Sequence, residues 1–230
     1  MTGFVYVHVP KCGGSSFGAA LRIRFITSQA SVSLNQGNPK LSGEDYIKSD
    51  YAQREIELQN LVERRIKMIS AHVRFGSTLD MARAKGYNLI TLLRDPLERF
   101  VSHYNYLQRK HPNPNRPDTL EGFLTTKDAK RLASQYLFYF GQDHHQRDSR
   151  EHIHHAINNL SKFSLVGDLA QANHFSTDLC KLVGTPLPRW RRNKAPTQTV
   201  VPAKLLEPIT ALCAADIEIF RTVKRNHLAA

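Results

Sequence analysis

Cysteine is scarce in this chain. Cys12, Cys180 and Cys213 are the only three in 230 residues. They are odd in number and far apart, and they include no Cys-x-x-Cys pair, which argues against both a disulfide framework and a zinc site. Long apolar runs are missing too. The amino-terminal apolar stretch is interrupted by His8, Pro10 and Lys11, and no later stretch approaches the ~18 apolar residues of a membrane helix. No targeting segment is visible, and the expectation is a cytoplasmic protein. There is no internal repeat or low-complexity tract, and 230 residues suit one domain, 1–230, with a substantial core. The third shortage is acid: 20 Asp and Glu stand against 32 Lys and Arg, a formal charge of +12. Such a field favours an anionic partner, whether nucleic acid, acidic glycan, anionic lipid or a phosphorylated cofactor, without choosing among them.

What is present alternates between strand and helix signals. FVYVHV (4–9) is β-branched and aromatic, and a helical pattern runs from Ser15 to Phe25 after a Gly-Gly turn. Residues 27–46 show no period and read as a long loop. A helix is expected over 49–65, with Ser49 or Asp50 as its cap, then an apolar run at 67–73 and a short helix over 77–85 opened by a Ser-x-x-Asp box. NLITLLR (88–94) is a buried strand. DPLERFVSHYNYLQRK (95–110) places Asp at the cap and Pro at the first helical position, a strong helix start, and the three prolines of 111–118 end it. The remainder is mostly helical, with a strand candidate at 162–167 and a basic, weakly patterned stretch at 188–197. Strands alternating with helices predict an α/β fold with a parallel sheet covered on both faces.

Ligands of open parallel sheets bind beyond the carboxyl ends of the strands. Three strand candidates end there in residues of chemical use: Lys11, His72 and Arg94. Between the first strand and helix, Gly13 and Gly14 permit unusual backbone angles. Ser15 and Ser16 are expected to cap the helix, whose amino end offers backbone N–H groups to an anion. Lys11 adds a full charge, and Cys12 belongs to the same turn.

A nucleotide-binding P-loop kinase is one reading of this turn. However, its lysine should follow the last glycine, whereas Lys11 precedes both, and no aspartate suited to holding Mg²⁺ ends a nearby strand. A phosphatase loop also fails, since Gly18 stands where Cys12 would require an arginine. A non-catalytic basic module for nucleic acid or acidic glycan would explain the charge but gives no reason for the Gly-Gly-Ser-Ser turn. As a nucleophile Cys12 has no relay partner and reads as a packing residue of the loop. The histidines from His144 to His155 form ordinary surface, with no visible metal-binding arrangement.

PKCGGSSF (10–17) resembles the 5′-phosphosulfate loop of sulfotransferases that use 3′-phosphoadenosine 5′-phosphosulfate (PAPS), and LLRDPLERFVSHYNY (92–106) resembles their 3′-phosphate segment. ISAHVRFG (69–76) is similar to the catalytic-histidine segment of the carbohydrate branch that contains the uronyl and heparan sulfate 2-O-sulfotransferases. Weaker similarity follows at 165–175 and 191–196. The resemblance implies a P-loop-like three-layer fold. The 5′-phosphosulfate would be held by Lys11, Cys12, Gly13, Gly14, Ser15 and Ser16, and the 3′-phosphate by Arg94 and Ser102. A closing loop would bring Arg191, Asn193 and Lys194 to the nucleotide, and no metal would be needed.

It further implies that His72 is the base and that Lys11 stabilises the leaving oxygen. The acceptor would be a hydroxyl on a glycan or glycoconjugate rather than a nucleic acid. From the residues alone, a strand-end histidine is more often a core group than a base, so this role rests on the resemblance. An imidazole titrating near ~6.5 suits it. His103, beside Ser102 on the helix, is the competing base and is expected to point away.

Overall fold

The computed structural model describes residues 2–141, 150–188 and 201–227. Five strands, β1 (Gly3–Val7), β2 (Gln29–Ser31), β3 (Met68–Ala71), β4 (Tyr87–Leu93) and β5 (Leu165–Asp168), form one all-parallel sheet in the order β2-β3-β1-β4-β5. Parallel neighbours require crossovers, and helices supply them. They are α1 (Gly14–Arg24), α2 (Gly43–Glu63) and α3 (Ser77–Ala84), then α4 (Pro96–Lys110) to α8 (Arg150–Ser161) between β4 and β5. After β5 come α9 (Ala172–Val183), α10 (Ala203–Leu212) and α11 (Ala214–His227). The result is the expected α/β arrangement, a central parallel sheet flanked by helices.

Strand alternation builds two cores. Val5, Val7, Ile69, Ala71, Leu89 and Leu93 pack with residues of α2, α3, α8, α11 and α7 (Gln135–Phe140). Phe4, Tyr6, Met68, Ile90 and Leu92 face α1 and α9. A third cluster joins Phe100, Val101 and Tyr104 of α4 to α10 and to the short helices α5 (Leu120–Leu124) and α6 (Lys127–Ala133). Among the described residues no helix is long and apolar enough to cross a membrane.

Several local expectations change. The 27–46 segment contains β2, whose three residues are too few for a periodic signal and become a strand only by pairing with Met68–Ser70. α2 starts at Gly43 with Ser42 in the cap position, not at Ser49 or Asp50. Asp50 is instead buried within α2, where it pairs with Arg54 one turn on and accepts the Gln36 N–H at 2.6 Å. Gly76, not Ser77, precedes α3, and no side chain caps it. The Asp95-Pro96 start matches the expectation: Asp95 accepts the N–H groups of Leu97 and Glu98 at 3.0 and 3.1 Å, with Pro96 in the first turn.

Candidate active site

The turn between β1 and α1 is the centre of the carboxyl edge. Lys11 and Gly13 both adopt left-handed backbone angles, with φ of 67° and 72°. This is unusual for a lysine, and such strain is concentrated at functional sites. Gly13 takes the cap position of α1, and no side chain caps the helix. Ser15 and Ser16 therefore are not its caps. They lie in the first turn, because the left-handed Gly13 ends the loop one residue earlier than a serine cap would. That turn contains no acidic residue, so the amino end presents its N–H groups and positive dipole to an anion. Glycine is needed at two positions. A Cβ on residue 13 would stand 2.6 Å from Leu169 Cδ1, and one on residue 14 would stand 2.6 Å from the Tyr6 hydroxyl and 2.7 Å from His8 Cδ2.

Lys11, Arg94 and the outer side of α4 meet around this turn. Arg94 Nη1 donates to the Lys11 carbonyl at 3.5 Å, while its Nε reaches Glu98 at 3.1 Å. The Lys11 ammonium rests 4.2 Å from the Tyr106 ring centroid. Burial, with Arg109 and Arg94 adding repulsion, holds its pKa below the usual lysine range. Ser102 is half-buried on the same helix, and its hydroxyl has no hydrogen-bond partner among the described residues.

His72 comes to this edge through strand register. β1 pairs with β3 as Phe4 with Met68 through Val7 with Ala71. One further step sets His8 beside His72, with the His8 N–H donating to the Ala71 carbonyl at 2.8 Å. The two imidazoles stack at 4.3 Å. Burial, reinforced by the Arg54 charge, lowers the His72 pKa to about 4, against a hydrogen bond with the His8 backbone that raises it. Burial together with His72, Arg22 and Lys11 lowers His8 to about 3. The near-neutral titration expected for His72 is thus corrected: the ring is neutral throughout the physiological range. Arg54 holds the His72 backbone from behind, donating to its carbonyl at 3.0 Å.

His103 is half-buried, its Nδ1 lacks a partner among the described residues, and burial with the charges of Arg99, Lys11, Arg131 and Arg116 lowers its pKa to about 3.

Behind the turn lies a buried polar network. The Tyr136 hydroxyl accepts the Arg94 N–H at 2.8 Å and donates to the Arg94 carbonyl, and it lies 3.6 Å from Cys12 Sγ. Cys12 is buried, which pushes its thiol up to about 11; this is the packing role expected of it, since a thiol that stays protonated is a poor nucleophile. The carboxylate of Asp216 on α11 accepts the N–H groups of Tyr136 and Leu137, each at 3.0 Å. It also pairs with the fully buried Arg99 at 3.4 Å. Burial raises the Asp216 pKa above the usual carboxylate range, while Arg99 and these donors oppose the shift.

A cleft of about 430 Å³ opens on the α2 side, lined by Lys48, Tyr51, Glu55, Val73, Arg74 and Thr78 among others. None of the turn residues, Arg94 or Ser102 borders it. His72 does not border it either, so this cleft is not where an anion on the turn would sit. The family model described as Sulfotransferase family matches residues 2–221. The chain belongs to the sulfotransferase family. No curated protein matches it.

Within that family assignment, the geometry gathers Lys11, Cys12, Gly13, Gly14, Ser15, Ser16, His72, Arg94 and Ser102 along one edge of the sheet and the helix beside it. Arg191, Asn193 and Lys194 lie outside the described residues, as do His144 and His145. The remaining histidines of that cluster sit on α8, and among the described residues no three His, Cys, Asp or Glu side chains are grouped to hold a metal ion. Sequence reasoning passed over His8, Tyr106, Arg109 and Tyr136. Period-2 alternation does put His8 on one face with Phe4 and Tyr6, but the stacking partner is set by register. Tyr106 follows Ser102 by four residues, a spacing that shares a helix face. For Tyr136 the sequence carries no local signal.

Proposed function

We propose that the chain transfers a sulfuryl group from PAPS to the hydroxyl of a carbohydrate or glycoconjugate. The observation that carries this reading is the uncapped amino end of α1 beneath Lys11, with Arg94 hydrogen-bonded to the same turn, in a chain of the sulfotransferase family. The two ends of the nucleotide carry separate anions, and the edge has two cationic regions to receive them. The 5′-phosphosulfate would lie on the N–H groups of residues 13–16 beside Lys11. The 3′-phosphate would lie on the planar fork of Arg94 and the hydroxyl of Ser102.

In the proposed step the neutral His72 ring takes the proton of the acceptor hydroxyl as its oxygen attacks sulfur. The bond from sulfur to the bridging phosphate oxygen breaks, and Lys11 stabilises the charge left on that oxygen. The sulfuryl group carries less negative charge than a phosphoryl group, so a lysine would serve where kinases use Mg²⁺. Arg191, Asn193 and Lys194 enter the proposal through the resemblance, as a loop closing over the nucleotide. Contrary to the expectation that no aspartate ends a nearby strand, β5 ends in Asp168; it is buried and paired with Lys224 Nζ at 2.8 Å, and that pairing favours this reading over a metal-dependent kinase.

A thermal-shift comparison tests it. 3′-Phosphoadenosine 5′-phosphate is expected to raise Tm with EDTA present, while ATP with Mg²⁺ and an oligonucleotide leave it unchanged. Arg94→Ala should weaken the nucleotide by ~1.5–3 kcal/mol, the usual loss of a charge-assisted hydrogen bond. Binding abolished by EDTA, or a folded Arg94→Ala protein of full affinity, would count against the assignment.

A further inference from the structure

We propose that the amino edge of the sheet, opposite the candidate site, is a docking surface for an anionic lipid bilayer. Parallel topology brings every helix-to-strand connection to this edge: residues 25–28 before β2, 64–67 before β3, 85–86 before β4 and 162–164 before β5. None of these connections contains an aspartate or glutamate, and they hold Arg64, Arg65, Lys67, Lys85 and Lys162. They are also tied into one surface. Ser28 Oγ accepts the Lys67 N–H at 3.0 Å, and Tyr87 donates its hydroxyl to the Ile66 carbonyl at 2.9 Å. With strands about 4.8 Å apart, the stretch from β2 to β4 is roughly 14 Å wide.

Three observations separate this edge from an ordinary solvated face. The first is unbalanced charge. At the β4–β5 end, Asp80 of α3 is held by Arg83 and Lys162, at 3.2 and 3.3 Å. Glu63 accepts a hydrogen bond from Gln59. Arg24, Arg64, Arg65, Lys67 and Lys85 have no acidic partner among the described residues. The preference of helix carboxyl ends for a cation accounts for one such residue per helix, but not for three around one strand start.

The second observation is exposed apolar surface in the same place. Ile26 is 74% exposed and Ile23 46%, at the end of α1 beside the 64–67 connection. The third is backbone strain. Among the described residues, three that are not glycine have left-handed φ: Lys11, Asn35 and Arg65. Asparagine tolerates this region, and Lys11 belongs to the candidate site. Arg65, at 56°, ends α2 where the Ile66 N–H bonds to the Leu61 carbonyl, a helix ending that favours glycine. The chain does use Gly86 and Gly184 just beyond α3 and α9. Arginine at residue 65 is exposed and keeps a cation at the edge.

Cations alone would suit any polyanion. Exposed isoleucines among them need an apolar phase next to the anions, which a bilayer has and a nucleic acid or sulfated glycan lacks. Docking by this edge leaves the carboxyl edge open to nucleotide.

The test is co-sedimentation of the protein with phosphatidylcholine vesicles with and without phosphatidylglycerol, beside the thermal shift given by 3′-phosphoadenosine 5′-phosphate. Binding is expected only with phosphatidylglycerol and should weaken with salt. Arg64→Gln with Arg65→Gln should lower vesicle affinity roughly 25-fold, about fivefold per cation removed. Ile26→Ser should lower it as well. Arg65→Gly should weaken vesicle binding about fivefold while raising Tm, since glycine accepts the left-handed angle. All these variants should keep the nucleotide-induced shift. The proposal is overturned by equal binding to neutral and anionic vesicles or by none to either. It is also overturned if Ile26→Ser binds vesicles like the parent, which would mark a polyanion surface instead.

Discussion

Alanine in place of His72 is expected to reduce kcat by ~10²–10⁴-fold, the usual loss on removing a positioned general base. Affinity for 3′-phosphoadenosine 5′-phosphate should be nearly unchanged, because the base would act on the acceptor proton and not on the nucleotide. The pH profile makes the prediction specific. Burial and Arg54 hold His72 down to about 4. A depressed pKa means that the neutral, proton-accepting form persists as pH falls, so kcat/KM of the parent should stay flat from pH 7 to about pH 5. A base of ordinary imidazole pKa would begin to lose activity below ~6.5. Lys11→Ala should also lower kcat but preserve this profile, since its part is electrostatic. A His72→Ala protein with near-normal kcat would reassign the base, with His103 next to be tested.

Asp216→Ala should be the most destabilising single change in the buried network. Arg99 and Asp216 are both fully buried, and removing the carboxylate leaves a guanidinium without its counter-charge. Breaking one half of a buried pair costs about 3–5 kcal/mol, against the ~5–15 kcal/mol by which domains of ordinary size are stable. The Tyr136 and Leu137 N–H groups would lose their acceptor as well. Urea denaturation should show this loss. Asp216→Ala combined with Arg99→Met should recover much of it, because the stranded charge is then gone. Should the single variant unfold at the parent's midpoint, the pair contributes nothing and the α11 connection is incidental.

The network explains why this pair matters beyond stability. Asp216 holds the start of α7, which carries Tyr136, and the Tyr136 hydroxyl engages both backbone groups of Arg94 and lies against Cys12. A single buried tyrosine therefore links the turn proposed for the 5′ end of the nucleotide to the strand end proposed for its 3′ end.

Much of this was legible in the order of residues. The Asp95-Pro96 helix start, the Gly-Gly turn after a β-branched run and the parallel α/β class follow from local rules: a side chain capping its own helix, a glycine accepting a left-handed angle, apolar periodicity. The edge carrying Lys11, His72 and Arg94 follows from the same rules, because parallel strands joined by helices must end on one side. Capping was misread where the competing choices were close in sequence, at Gly13 against Ser15 and Ser42 against Ser49. Only the tertiary structure decided what depends on register and on distant packing. The single-residue phase of β1 against β3 stacks His8 on His72 and leaves both rings half-buried, which moves the titration of His72 from near-neutral to about 4. Tyr136 reaches Cys12 across 124 positions, and Asp216 reaches Arg99 across 117. Local periodicity encodes which face a residue turns toward, whereas a pKa or a hydrogen bond depends on what the rest of the chain brings to that face.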